Sequence, residues 1–253
     1  MKFFRNLLLG VMPAALMGCG GGAQALNTAS AVDIAHVVAA GHRLMVMRVG
    51  PQAQVRFVSH KQHNFEAAPD ISNRDIAVNV AAAFTLDTET MDVCGDHVVA
   101  GERIEGYDDV TATGHMLIVN NKVSILPNSR LKESIEAAVQ GKGYLFQQCY
   151  IVENGKSQEQ RIPQAIRERR PHIIYRAACT LGDGSLAIVQ GGEPMHYDEF
   201  INSLVALGAQ QALYLDMGTW AWGWTRDANG KALELAEKFD NTRYQSNWLQ
   251  ILY

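Results

Sequence analysis

Apolar residues along this chain fall mostly into short runs separated by turn-forming residues, a pattern that predicts strands more often than helices. Leu44 to Val49, Val55 to Ser59 and Ile76 to Phe84 each read as a strand. His115-Met-Leu-Ile-Val119 and Lys122-Val-Ser-Ile-Leu126 flank Asn120-Asn121. Asn tolerates positive φ, so this spacing predicts a hairpin. Tyr144 to Val152 is strand-like and turns at Asn154-Gly155, while His172 to Thr180 and Ser185 to Gln190 flank Gly182-Asp183-Gly184. Helical spacing covers Asn27 to Ala40, Leu131 to Gln140 up to Gly141, and Tyr197 to Leu207. Ala209 to Leu215 is a further strand that ends in Asp216, and the aromatic tail Thr242 to Tyr253 packs back as a strand. The sum is an α+β fold: one domain of mixed, largely antiparallel sheets, a few packed helices and a strand-helix-strand crossover just before Asp216.

The N-terminus changes this picture by adding an address. Lys2 and Arg5 precede the apolar run Leu7 to Met17, which leads into Leu16-Met-Gly-Cys19. A short basic region, a short apolar core and a small residue before the cut describe a secretory signal, too short for a stable span. A Cys at the cut predicts lipid attachment at Cys19, followed by the flexible leash Gly20-Gly-Gly22. Ala23-Gln-Ala25 offers the alternative cut of plain secretion. The expected organisation is a signal peptide over 1–18, a lipid-anchor tether with an N-terminal helix over 19–43, and the functional domain over 44–253. Localisation follows: the bacterial cell envelope, anchored in the membrane by the N-terminal lipid.

Composition excludes several classes. The formal net charge is −4, and cleavage removes two positive charges more, so general nucleic-acid binding is not expected. Hydrophobic residues make up 47% and charged residues 19%, which is ordinary for a globular chain and unlike a disordered one. Beyond Cys19, only Cys94, Cys149 and Cys179 remain, with no CxxC pair. An odd number in apolar surroundings predicts buried, inert thiols. The sequence holds no GxGxxG, Walker loop, HExxH, GxSxG elbow or EF-hand loop.

What remains is a set of polar residues in apolar company. Asp216 stands at the carboxyl end of a strand after a crossover, where binding and catalytic groups gather. Arg176 interrupts an apolar strand, so it must point outward, pair, or face a polar pocket. Its guanidinium suits phosphate oxygens, and anion binding and a structural ion pair are both open readings. Arg161, Arg167, Arg169 and Arg170 read as a solvated loop face. Asn79 lies within Ile76 to Phe84 and needs hydrogen-bond partners if buried. Trp220, Trp222 and Trp224 share a face if extended, either to stack on sugar rings or to cover a sheet end. His60 and His63 have weak metal-ligand spacing, and Asp87 and Asp183 are acidic residues in turn settings.

The order of these pieces resembles the phosphodiester glycosidase domain family. The resemblance is carried by Asn79 with Phe84, Arg176-Ala-Ala-Cys-Thr180, Asp183-Gly-Ser-Leu-Ala-Ile-Val189, Glu199 to Ala209, and Ala212-Leu-Tyr-Leu-Asp-Met-Gly-Thr219. It covers roughly Leu44 to Asp227. Met217 stands where the family has the first Gly after its Asp, and Thr219-Trp220 where Gly-Ser is usual. Cys179 and Thr180 replace an aliphatic residue and Gly. The resemblance implies hydrolysis of a sugar-1-phosphodiester, in a glycan or the cell envelope, at the anomeric carbon.

Chemistry makes one Arg and one Asp a sufficient minimum for that reaction. Ordinary glycosidases need two carboxylates because an alkoxide leaves badly without a proton. A phosphate ester leaves as a stabilised anion, so charge neutralisation replaces most general acid catalysis. The resemblance thus implies Arg176 and Asp216 as catalytic residues, with Asn79, Gly218, Thr219, Trp220 and Trp222 binding substrate. No cofactor is required, although a divalent cation beside Asp216 is a third reading. The alternative is a glycan-binding lipoprotein that keeps the pocket without turnover.

Overall fold

The computed structural model describes residues 30–60, 69–85, 92–158, 172–218, 221–238 and 244–253. Within them the chain is mainly β, three antiparallel sheets with two α-helices. The first sheet has seven strands, in spatial order β1 (Val32–Ala39), β2 (His42–Val49), β13 (Leu186–Gly191), β12 (Arg176–Leu181), β14 (Ala209–Tyr214), β10 (Tyr150–Glu153) and β11 (Lys156–Ser157). The second orders β16 (Ala232–Ala236), β15 (Gly223–Arg226), β4 (Ile76–Ala81), β17 (Asn247–Leu252) and β3 (Gln54–Ser59). The third orders β6 (Glu102–Ile104), β5 (His97–Val99), β9 (Tyr144–Gln148), β7 (Gly114–Val119) and β8 (Lys122–Pro127).

Both faces of the seven-stranded sheet are buried. Met47, Ala178, Ile188 and Leu213 face a central core shared with Phe57, Val80, Met116 and Leu249 of the other sheets. Val46, Ala177, Val189 and Tyr214 face α2 (Tyr197–Leu207), which contributes Phe200, Ile201 and Leu204. Period-2 alternation along each strand produces this division. The sequence bounds α2 clearly: Glu199 Oε2 accepts the His196 N–H at 2.7 Å, and Gly208 closes the helix at φ 96°. The other helix, α1 (Leu131–Gln140), covers the third sheet with Ile135 and Ala138 against Val98 and Leu145.

β12 is antiparallel to both β13 and β14, so those two run parallel with one strand between them and α2 connecting them. The α+β expectation gives too much weight to helix. In particular, Val32–Ala39 is a strand, not part of an N-terminal helix. It pairs with β2 through the two-residue turn Ala40-Gly41, at φ 49° and 86°. Val32, Ile34, Val37 and Val38 are β-branched, and a strand partner eight residues long outweighs the weak helical spacing. The 1–18 segment and Cys19 lie outside the described residues.

Candidate functional site

The predicted strand Tyr144 to Val152 divides at Cys149, β9 joining the third sheet and β10 the first. At the division Gln148 donates to Ala82 O, just past the end of β4, at 3.4 Å and accepts the Cys149 N–H at 2.8 Å. Ala82 O also accepts the Asp216 N–H at 3.0 Å. Asp216 therefore sits where the ends of three sheets meet. Ladders stop there, and backbone groups left over must be met by side chains. Asn247 does the same one residue along, bracketing Ala83 at 2.7 and 3.1 Å.

Asp216 is 6% exposed and lies beneath the exposed Gly218, whose N–H donates to Asp216 Oδ1 at 2.9 Å. Beyond its chain neighbours, a Cβ on Gly218 would meet only that oxygen among the described residues, at 3.3 Å. Burial pushes the Asp216 carboxyl up to about 6, against the opposing pull of the Gly218 amide and the Arg176 charge. Cys94, Tyr107 and Tyr214 all feel its charge, which adds to the burial that raises each of them.

Arg176 is buried on the neighbouring strand, with its carbonyl accepting the Leu215 N–H at 3.0 Å. Its side chain is held rather than free. Nε donates to Gln190 Oε1 at 2.8 Å, and Nη1 donates to Ala221 O at 3.2 Å. Nη2 has no partner among the described residues. Register makes this clamp inevitable: Gln190 is the direct cross-strand partner of Arg176, on the same face. Gln190 Nε2 donates to Leu235 O at 2.9 Å, which fixes the amide so that its oxygen faces the guanidinium. Burial lowers the Arg176 pKa to about 10, with Tyr214 and Asp216 opposing, so the group remains a cation. A guanidinium with Nη2 unpartnered among the described residues, within electrostatic reach of a buried carboxylate, has the charge to hold an oxyanion while the carboxylate steadies a developing cation.

The other sequence-predicted residues divide. Asn79 is buried in the second sheet, where its Oδ1 accepts from Gln250 Nε2 at 2.9 Å and its Nδ2 lacks a partner among the described residues. No hydrogen bond among the described residues joins it to Asp216 or Arg176. Trp222 is buried, not presented to solvent. Its indole N–H donates to Glu234 at 3.1 Å and Lys238 Nζ lies 4.8 Å from its ring centroid. Together with Trp224, Ile76 and Leu252 it covers the sheet end, leaving no open ring for a sugar. Thr219 and Trp220 lie outside the described residues, as do His63, Asp87, Arg161, Arg167, Arg169 and Arg170. His60 lies edge-on to Trp248, and Asp183 pairs with Arg48 at 2.6 Å. Among the described residues no three His, Cys, Asp or Glu side chains cluster to hold a metal, and Cys94, Cys149 and Cys179 are buried and form no disulfide. Gln190 and Gln148 went unread in the sequence. The alternation of β13 against β12 would have found Gln190, but only with the pairing register in hand.

The fold is shared with a solved hydrolase domain. The zebrafish N-acetylglucosamine-1-phosphodiester alpha-N-acetylglucosaminidase catalytic domain, auto-inhibited by its pro-peptide, superposes with a TM-score of 0.60. It is 14% identical, over 88% of this chain and 82% of that one. A hypothetical protein from Synechocystis superposes at 0.50, 13% identical, over 87% of this chain and 61% of its own. No family model and no curated protein matches the sequence. At these identities the likeness is one of fold.

Proposed function

We propose that the chain hydrolyses a sugar-1-phosphodiester at the anomeric carbon, acting on a glycan or cell-envelope component from an N-terminal lipid at Cys19. The observation that carries this reading is the buried Asp216 carboxyl within electrostatic reach of the Arg176 guanidinium where three sheets end, with Arg176 Nη2 left without a partner among the described residues. The shared fold supports the same chemistry. Arg176 holds the phosphate oxygens and neutralises the charge that builds as the C1–O bond breaks. Asp216, ionised above its raised pKa, faces the developing cation at C1 or activates water. Water adds to C1, the electron pair of the broken bond stays on the phosphate oxygen, and the products are a reducing sugar and a phosphomonoester. Gly218, whose N–H donates to Asp216 Oδ1, contacts the sugar.

Turnover in H₂¹⁸O tests this directly. The expected result is label in the reducing sugar and none in the phosphomonoester. Asp216→Asn should lower the rate by a factor on the order of 10² or more. Label in the phosphate, or full activity in Asp216→Asn, overturns the assignment. Binding of the glycan without release of sugar would instead favour the non-catalytic lectin-like reading, which the 6% exposure of Asp216 also suits.

A further inference from the structure

A recess lined by neither Asp216 nor Arg176 lies elsewhere in the fold. It is a cleft of about 460 Å³ between β3, the β7–β8 turn and the turn that follows α1. Arg56 and Lys142 are the charged residues lining it, and no Asp or Glu lines it. In a chain of net charge −4, a cleft with two cations and no carboxylate is a local reversal of sign. Neither cation forms an ion pair among the described residues.

The cleft is built, not merely lined. Arg56 Nε donates to Gln250 Oε1 at 2.8 Å, and Gln250 Nε2 donates to Asn79 Oδ1 at 2.9 Å. Gln250 and Asn79 are both buried, so the amide relay fixes the guanidinium through Nε, and its two terminal nitrogens make no hydrogen bond among the described residues. Across the cleft, Asn121 locks the β7–β8 turn onto β3, donating to Ala53 O at 2.7 Å and accepting the Val55 N–H at 3.0 Å. Gly143 has no room for a side chain, since a Cβ would come within 2.2 Å of Ile118 O, and this close approach seats Lys142 on the rim at φ 50°. Tyr144 adds a hydroxyl to the wall.

We propose that this cleft binds a small hydrophilic ligand through an oxyanion, a sugar phosphate or sugar carboxylate, held by Arg56 and Lys142. Guanidinium takes either group bidentately, and polar walls favour a hydroxylated bearer over an apolar one. The site does not depend on the hydrolase reading and shares no charged residue with it.

The experiment is an amide-resolved NMR titration of the mature protein at low salt with glucose 6-phosphate, glucuronate and uncharged glucose. The expected result is saturable movement of the Asn120, Asn121, Lys142 and Gly143 amides with one or both acids, which also identifies the preferred anion, and none with glucose. Arg56→Gln combined with Lys142→Asn, the latter keeping a residue that tolerates positive φ, should raise Kd about tenfold or more. Should the double variant not fold, Lys142→Asn alone on its exposed turn should raise Kd about threefold. Asp216→Asn should leave these shifts unchanged. Equal movement with glucose, an unchanged Kd in the charge-removed variants, or loss of the shifts in Asp216→Asn each overturns the proposal.

Discussion

Arg176 and Arg226 are both buried arginines with no carboxylate in hydrogen-bond contact among the described residues, yet their surroundings differ in kind. Arg226 donates to four backbone carbonyls: Nε to Ile76 O at 3.0 Å, Nη1 to Gly230 O at 3.1 Å, and Nη2 to Ile71 O at 2.6 Å and Asn73 O at 2.9 Å. Its guanidinium also lies over the Trp224 ring, 4.9 Å from the centroid. Every nitrogen is used, and the group ties the loop before β4 to the sheet. Arg176 is tied by two nitrogens, and its third is buried without a partner among the described residues. A buried donor left unmatched costs on the order of 1–3 kcal/mol, and Arg176 Nη2 bears that cost, as Asn79 Nδ2 and Trp224 Nε1 do elsewhere in the fold. Saturation marks Arg226 as a structural cation; on the proposed reading, the deficit at Arg176 is what a ligand would fill.

The sharpest way to break this contrast is to remove each guanidinium in turn. Arg226→Met strands four carbonyls and should cost on the order of 3 kcal/mol, a fall of about 6–12 °C in melting temperature for a chain of this size. Its effect on hydrolysis, measured well below that temperature, should be small. Arg176→Met should do the reverse: a loss on the order of 10³-fold in kcat/KM, with a melting temperature within about 3 °C of the parent, because relief from burying a charge offsets two lost hydrogen bonds. If both variants melt equally low, Arg176 is a structural residue and the contrast fails.

Asp216 sharpens the same point through pH. Its folded pKa of about 6 lies above the ordinary 3.8, so the native state holds the proton more tightly than the unfolded chain. Stability from this group is complete below pH 3.8 and is lost as pH rises through about 6. The loss amounts to roughly 2–3 kcal/mol at neutral pH. Asp216→Asn should therefore melt higher than the parent at pH 7, by several degrees, and the gap should shrink toward pH 4. Thermal melts of both proteins across that range check it. A gap that is constant with pH would mean the carboxylate is solvated after all, and with it the case for a strained functional group would go.

How far the sequence foretold these features depends on whether the signal was local. Asn120-Asn121 and Asn154-Gly155 announce hairpins because their φ values, 52°, 59°, 51° and 73°, suit those residue types. Ala40-Gly41 and Ala100-Gly101 make the same turns at φ 49°, but Ala in the left-handed region carries no mark, and two hairpins went unread. Asp216 and Arg176 stood out as charges among apolar neighbours. What each charge touches was not legible, since Gln190 and Leu235 reach Arg176 through strand register and through another sheet. Trp222 shows the limit clearly. Alternation placed it on a face with Trp224, but only the packing shows that this face is covered by Lys238, Glu234 and Ile76.

The finest test of the contrast concerns how Arg176 is aimed. Gln190 is buried, its amide fixed between Leu235 O and Arg176 Nε, so Gln190→Met removes the aim without removing the charge. The rotation this allows should cost about tenfold in kcat/KM, well short of the loss in Arg176→Met. A purely structural Gln190 would give the same reduction whatever stands at position 176. A positioning residue acts only through its partner, so Gln190→Met added to Arg176→Met should cost nothing further in kcat/KM, and the double-mutant cycle should be strongly non-additive. Additive losses would show that Gln190 serves the sheet rather than the guanidinium, and the distinction between a saturated arginine and an aimed one would then rest on Nη2 alone.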